Sequence, residues 1–149
     1  MEFLESLGLV GLLLVCFLAS SLYPLGSEVF VLGFVSIGYS EIVVWCIATL
    51  GNTLGALTTY AIGYFGNDYL LQKYFKTATA KIHRYQNKIQ KFGFLFAFFS
   101  FLPVVGDVFA LALGVYQYSF AKATFFIALG KGFRYFVLLG TFVWWQTAG

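Results

Sequence analysis

Four charged residues stand in stretches that are otherwise almost wholly apolar: Glu28, Asp107, Lys131 and Arg134. Each costs on the order of 2.5–3.5 kcal/mol at the centre of a bilayer, about 10 kcal/mol for the set if unpaired, so they demand partners or a wet cavity. Two acids balance two bases, which leaves two readings open. In one, a pair of buried salt bridges pins the structure. In the other, the four line a polar chamber in which Glu28 or Asp107 picks up and releases a proton. There Arg134 would hold an anionic group, because its planar fork donates two parallel hydrogen bonds to a phosphate. Lys131 has a long stem that lets its ammonium snorkel out of the core. Gly26, Ser27 and Gly106, beside Pro24 and Pro103, lie where short helices would begin, and such N-termini add backbone N–H donors for the same anion. Asn52 would hydrogen-bond in the same place, while Gly51 and Gly55 form a GxxxG that lets helices approach closely.

No enzyme is expected from these residues. The one histidine, His83, lies in a lysine-rich stretch, so no nucleophile–base pair can form at membrane depth, and the acids lack metal-ligand spacing. Cys16 and Cys46 each sit inside an apolar run and offer neither a disulfide framework nor a zinc site. Neither a metal nor a cofactor is implied.

The elements that position these charges follow from composition and run length. Of 149 residues, 60% are hydrophobic and 10% charged, against roughly 45–50% and about 25% in soluble domains. With aromatics at 21% and a mean hydropathy of +0.85, a soluble globule and a disordered chain are both excluded. The uncharged run 42–67 is a full transmembrane helix, since about 20 residues span the hydrocarbon core. The run 6–27 ends in Pro24 and Gly26, and 29–40 has too few residues to cross alone. Likewise 92–102 stops at Pro103, and 108–121 is again short. Short apolar pieces joined by Pro and Gly read as re-entrant hairpins, whose broken backbone is tolerated where protein or a watery cavity surrounds it. The run 123–149 has crossing length with Lys131 and Arg134 inside it. A signal peptide at the start is disfavoured, because Glu2 and Glu5 stand where cations are expected.

Residues 67–91 hold six of the nine cations, Lys73, Lys76, Lys81, Arg84, Lys88 and Lys91, against the single acid Asp68. Apolar positions from Leu71 to Phe92 recur every three or four residues, which predicts an amphipathic surface helix. The positive-inside rule makes it cytoplasmic, and no nucleic-acid partner is expected.

The sequence also repeats itself at an offset of 79. Pro24 falls on Pro103, Glu28 on Asp107, and Tyr39-Ser40 on Tyr118-Ser119. The expected architecture is therefore one all-α integral membrane domain over 1–149. Repeat 1 (6–66) and repeat 2 (92–149) are each a re-entrant helical hairpin plus a transmembrane helix, joined by the cytoplasmic amphipathic helix 67–91. With that helix inside, the first hairpin opens outward and the second inward, so the copies are inverted, as in secondary transporters, and both termini lie outside. At about 1.5 Å per residue, Asn52 is roughly 16 Å below Glu41, and Lys131 and Arg134 roughly 13 and 18 Å beyond Lys122. Two hairpins and two spans make thin walls for a lipid path, which a homodimer would thicken, but the sequence does not fix the number of subunits.

The segment from Phe17 through Pro24-Leu-Gly-Ser-Glu28 to Phe30, Gly51-Asn-Thr-Leu-Gly55, Leu102-Pro-Val-Val-Gly-Asp107 and Gly130-Lys-Gly-Phe-Arg-Tyr135 resemble the DedA, or SNARE-associated Golgi protein (VTT domain), superfamily, and within it the short YqaA-like bacterial branch. The resemblance covers nearly the whole chain. It implies a bacterial inner-membrane protein with two opposed re-entrant hairpins. It further implies translocation of a phospholipid or polyprenyl-phosphate headgroup, with the family's essential acid at Glu28 and its second acid at Asp107. The partners so implied are membrane lipids with anionic headgroups, and protons. The chain departs from the family in placing no arginine beside Pro103; Arg134 is its one deep arginine. The leading expectation is thus a flippase or scramblase coupled to protons. A proton-coupled transporter of a small solute and a membrane assembly factor that transports nothing are the alternatives.

Overall fold

A computed structural model of the chain describes residues 2–21, 27–66, 79–102 and 105–149. The expected hairpin-tip residues Pro24, Gly26 and Pro103, and positions 67–78 of the basic segment, lie outside the described residues. Among those described there are six α-helices: α1 (Glu2–Ser21), α2 (Ser27–Ser36), α3 (Glu41–Phe65), α4 (Thr79–Phe98), α5 (Val105–Val115) and α6 (Phe120–Ala148). A 3₁₀ turn, Phe99–Phe101, follows α4. Only α3 and α6 are both long and apolar enough to cross a bilayer, while α2 and α5 are too short.

Polarity is distributed inside out. Val29, Phe30, Ile42, Ile62, Phe125 and Phe136 face outward, whereas Ser20, Ser27, Asn52, Thr53, Ser100 and Lys131 are buried. A water-soluble fold cannot afford that arrangement, but in lipid, where apolar surface costs nothing, buried polar side chains become the inter-helix contacts.

The two halves share their element boundaries. Shifting α2 and the start of α3 by 79 positions lands on α5 and the start of α6. The agreement extends into the packing, which forms two cores. One contains Val31, Val44, Ala48, Tyr135 and Leu139. The other contains Ala110, Ala123, Ile127, Ala56 and Tyr60, the residues 79 positions away from these in the same order. Each core therefore borrows the far end of the other half's long helix, and the exchange is reciprocal. α3 and α6 run antiparallel: Trp45 near the start of α3 donates its indole N–H to the Gly132 carbonyl at 2.8 Å, and Tyr60 near its end bonds the Tyr118 carbonyl just before α6.

α1 lies along α3 in the same direction, because Gly51 and Gly55 present bare backbone to it: a Cβ there would strike the carbonyls of Leu13 and Phe17. This is the close approach expected of the GxxxG pair. α2 then returns, and its following turn brings Tyr39 against Gly8, near the start of α1. The α1–α2 pair thus begins and ends at one level, with Ser20 beside Gly55 at its deep end. In the second half Tyr118 packs on Gly93 of α4 in the same way.

One boundary differs from expectation. The amphipathic helix does not stop near 91; α4 continues unbroken to Phe98. Gly93 is the one glycine in the stretch, at a cost of about 1 kcal/mol, and Phe94, Leu95 and Phe96 after it carry exposed apolar side chains of the kind that lipid tolerates.

Candidate functional site

The four deep charges meet as two pairs, each joining a short helix to α6. Glu28, in the first turn of α2, forms a salt bridge with Arg134. The Glu28 side chain is 39% exposed and that of Arg134 17%. Asp107, in the first turn of α5, faces Lys131 through Ser20 of α1. The Lys131 ammonium donates to Ser20 Oγ at 3.3 Å, and the Ser20 hydroxyl donates to Asp107 Oδ1 at 3.4 Å. Lys131 does not snorkel: it is only 3% exposed. Its ammonium points inward to Ser20 instead.

Between the pairs lies a neutral hub. Asn52 Nδ2 donates to the Tyr135 hydroxyl at 2.8 Å, and that hydroxyl shares a 2.9 Å hydrogen bond with Ser27. Tyr135 is wholly buried, and its ring lies 5.7 Å from the Arg134 guanidinium carbon. α1, α2, α3, α5 and α6 all contribute side chains to this region. Among the described residues nothing bonds Asn52 Oδ1, Thr49 Oγ1, Thr53 Oγ1 or Ser100 Oγ, although all four are buried. Thr49, Asn52 and Thr53 share one face of α3 by their three- and four-residue spacing, and Thr49 lies against Gly132 of α6. Buried polar atoms of this kind normally have partners, so the interior has spare capacity for hydrogen bonding.

Of the residues singled out by sequence, Glu28, Asp107, Lys131, Arg134, Asn52 and Ser27 converge here. Gly106 is buried against the Ser100 carbonyl, where a Cβ would collide, which lets α5 start tight beneath the 3₁₀ turn. Sequence reasoning missed Ser20, Tyr135 and Trp45. Ser20 had no distinguishing neighbour, but Tyr135 directly follows Arg134 and could have been suspected as a polar tip beside a deep charge. Among the described residues no group of His, Cys, Asp and Glu is placed to hold a metal ion.

The comparison with known proteins settles the family. A model of the VTT domain matches residues 23–143. The chain belongs to the VTT-domain (DedA) family. It is 33% identical over 147 residues to the inner membrane protein YqaA of Escherichia coli, covering 95% of this chain and 99% of that protein. An uncharacterized protein of Haemophilus influenzae is 40% identical over 93 residues, covering 62% of this chain and 55% of the relative. An archaeal one, from Methanocaldococcus jannaschii, is 24% identical over 144 residues, 96% of this chain and 89% of the relative. No solved structure matches the chain. Family membership and the two long apolar helices make this a membrane protein of the DedA type. Glu28, Asp107, Lys131, Arg134 and the hub residues all fall inside the matched segment.

Proposed function

We propose that this VTT-domain protein moves an amphiphile with an anionic headgroup, a phospholipid or polyprenyl phosphate, across the bacterial inner membrane, and that proton exchange at Glu28 drives or permits the movement. The observation that carries this reading is the Glu28–Arg134 pair, which is joined yet half open. A sealed structural salt bridge would hide both side chains. Here an incoming phosphate can compete with the carboxylate for the guanidinium, and its two oxygens match the fork that the carboxylate occupied.

Charge balance gives the mechanism. Protonation of Glu28 weakens its hold on Arg134, the headgroup takes the carboxylate's place at the guanidinium, and loss of the proton returns the carboxylate and expels the headgroup. The first turn of α2, which holds Ser27 and Glu28, adds backbone N–H donors at the positive end of its dipole. Asn52, through the Tyr135–Ser27 bonds, fixes α2 against α6 while the exchange occurs. The buried Lys131–Ser20–Asp107 group holds the second short helix in place.

The membrane arrangement belongs to the same proposal: inverted re-entrant hairpins, α1–α2 opening outward and α4–α5 opening to the cytoplasm, a cytoplasmic 67–91 segment and both termini outside. The reciprocal exchange of helix ends between the two cores supports it, because a two-fold relation makes contacts of that form. So does the contact of Tyr39 with Gly8, which is the contact a hairpin with both ends on one side would make. Both halves converge on one site, as in inverted-repeat transporters.

The test is headgroup-quenched lipid translocation in proteoliposomes, run separately with a fluorescent phospholipid and with undecaprenyl phosphate. Wild type is expected to move one of them faster when a proton gradient is imposed. Glu28→Gln and Arg134→Ala, folded by circular dichroism, are expected to be inactive. Full activity in folded Arg134→Ala would overturn the reading.

A further inference from the structure

A second apolar feature lies away from the charged site. α4 and α5 enclose a groove of about 560 Å³, walled by Phe92, Leu95, Phe96, Phe99, Leu102 and Phe109, with Lys88 at one end. The Phe96 and Phe109 rings meet edge to face across its floor, with centroids 5.3 Å apart. From Lys88 to Leu102 the wall runs about 20 Å at the helical rise. Its inner end stops just before α5 begins and thus close to Asp107.

The cationic end is held in place. Gln90 donates to the carbonyls of Gln117 at 3.2 Å and Tyr116 at 3.4 Å, and Tyr118 packs on the bare backbone of Gly93. α4 is thereby joined to the α5–α6 turn at this end of the groove. Lys91, one turn along from Lys88, is exposed with its ammonium 5.5 Å from the Phe92 ring centre.

We propose that this groove is a binding site for one acyl chain of an anionic phospholipid, whose headgroup is held by Lys88 and Lys91. Charge complementarity selects the occupant: a cationic mouth opening onto a long aromatic slot matches a molecule with an anionic head and an apolar tail. The groove between α3 and α6 is the internal contrast. It is also apolar and has a volume of about 470 Å³, but Glu41 stands at its mouth and would repel the same headgroup. The proposal rests on the lipid-transport reading only in giving the site a use, as the place where lipid from the leaflet next to the basic helix is loaded towards the α5 start. Binding itself does not require transport.

The experiment uses the full chain in phosphatidylcholine vesicles doped with phosphatidylglycerol that carries a photoactivatable diazirine on one acyl chain, with peptide mapping of the adducts. Adducts are expected on the 87–102 and 105–116 segments. A phosphatidylcholine probe of the same chain should label these segments about fivefold less, and Lys88→Gln should reduce labelling by phosphatidylglycerol by about fivefold. Equal labelling by both probes, adducts spread evenly over the outward faces of α3 and α6, or an unlabelled groove, as when a second copy of the chain fills it, would each overturn it. Translocation measured on the same vesicles separates the two proposals. Selective labelling without lipid movement leaves the groove standing and removes the transport reading; movement without selective labelling does the reverse.

Discussion

Glu28 and Asp107 occupy the same position in the two halves, in the first turn of a short helix and 79 residues apart, yet their surroundings differ. Glu28 meets an arginine in a half-open contact. Asp107 meets a lysine that is buried and bridged by a serine. The cause is that both cations belong to α6, whereas the equivalent positions of α3 are Asn52 and Gly55, both neutral. α6 therefore serves both acids, and it can bury only one of its cations against α1 while the other, three residues on, faces α2. A repeated backbone with unequal charge gives one acid in a half-open contact and one bridged to a buried lysine.

The largest effect should come from breaking the closed pair. Lys131→Met leaves the part-buried Asp107 carboxylate without its counter-charge, and a loss of roughly 3 kcal/mol of stability is expected, the low end of the range for breaking a buried pair. Thermal unfolding in detergent checks it, and most of the loss should return in the Lys131→Met/Asp107→Asn double variant. Next is the hub: Tyr135→Phe removes a hydroxyl used by both Asn52 and Ser27 and should cost about 1–3 kcal/mol in the same assay. If it costs nothing, the neutral hub does not couple α2 to α3. For the open pair, Arg134→Ala should lower translocation at least about tenfold, the effect of one charged hydrogen bond. Its melting temperature should fall much less than that of Lys131→Met. Comparable unfolding in the two variants would erase the distinction between the pairs. Smallest is Trp45→Phe, which deletes one hydrogen bond between α3 and α6 at about 1 kcal/mol and should leave translocation near wild type.

The membrane class and the four isolated charges were legible because each rests on local cost: a charge in an apolar run announces itself through its insertion energy, and run length marks α3 and α6 as long enough to cross a bilayer. Which acid meets which base was not legible. Glu28 and Arg134 are 106 residues apart in sequence, and their meeting is decided by how α2 leans on α6. Lys131 shows the same limit from the other side, since a long cationic stem is compatible with snorkelling or burial, and the contact that holds it inside is with Ser20, 111 residues away. Ser20 and Tyr135 were hidden for a different reason: neither residue type is costly at its position until a neighbour uses its hydroxyl. The continuation of α4 past 91 followed from the weakness of a single glycine as a stop signal.

The exchanged helix ends have a consequence for how the chain is made. Val31, Val44 and Ala48 are translated early, but their core is completed by Tyr135 and Leu139 near the end of the last helix. Until those residues leave the ribosome, Ser27, Glu28 and Asn52 must wait in or beside the bilayer without the Tyr135 and Arg134 that later satisfy them. The N-terminal half is thus an unfinished guest of the insertion machinery for most of its synthesis, and the arrival of α6 both closes the fold and neutralises its charge.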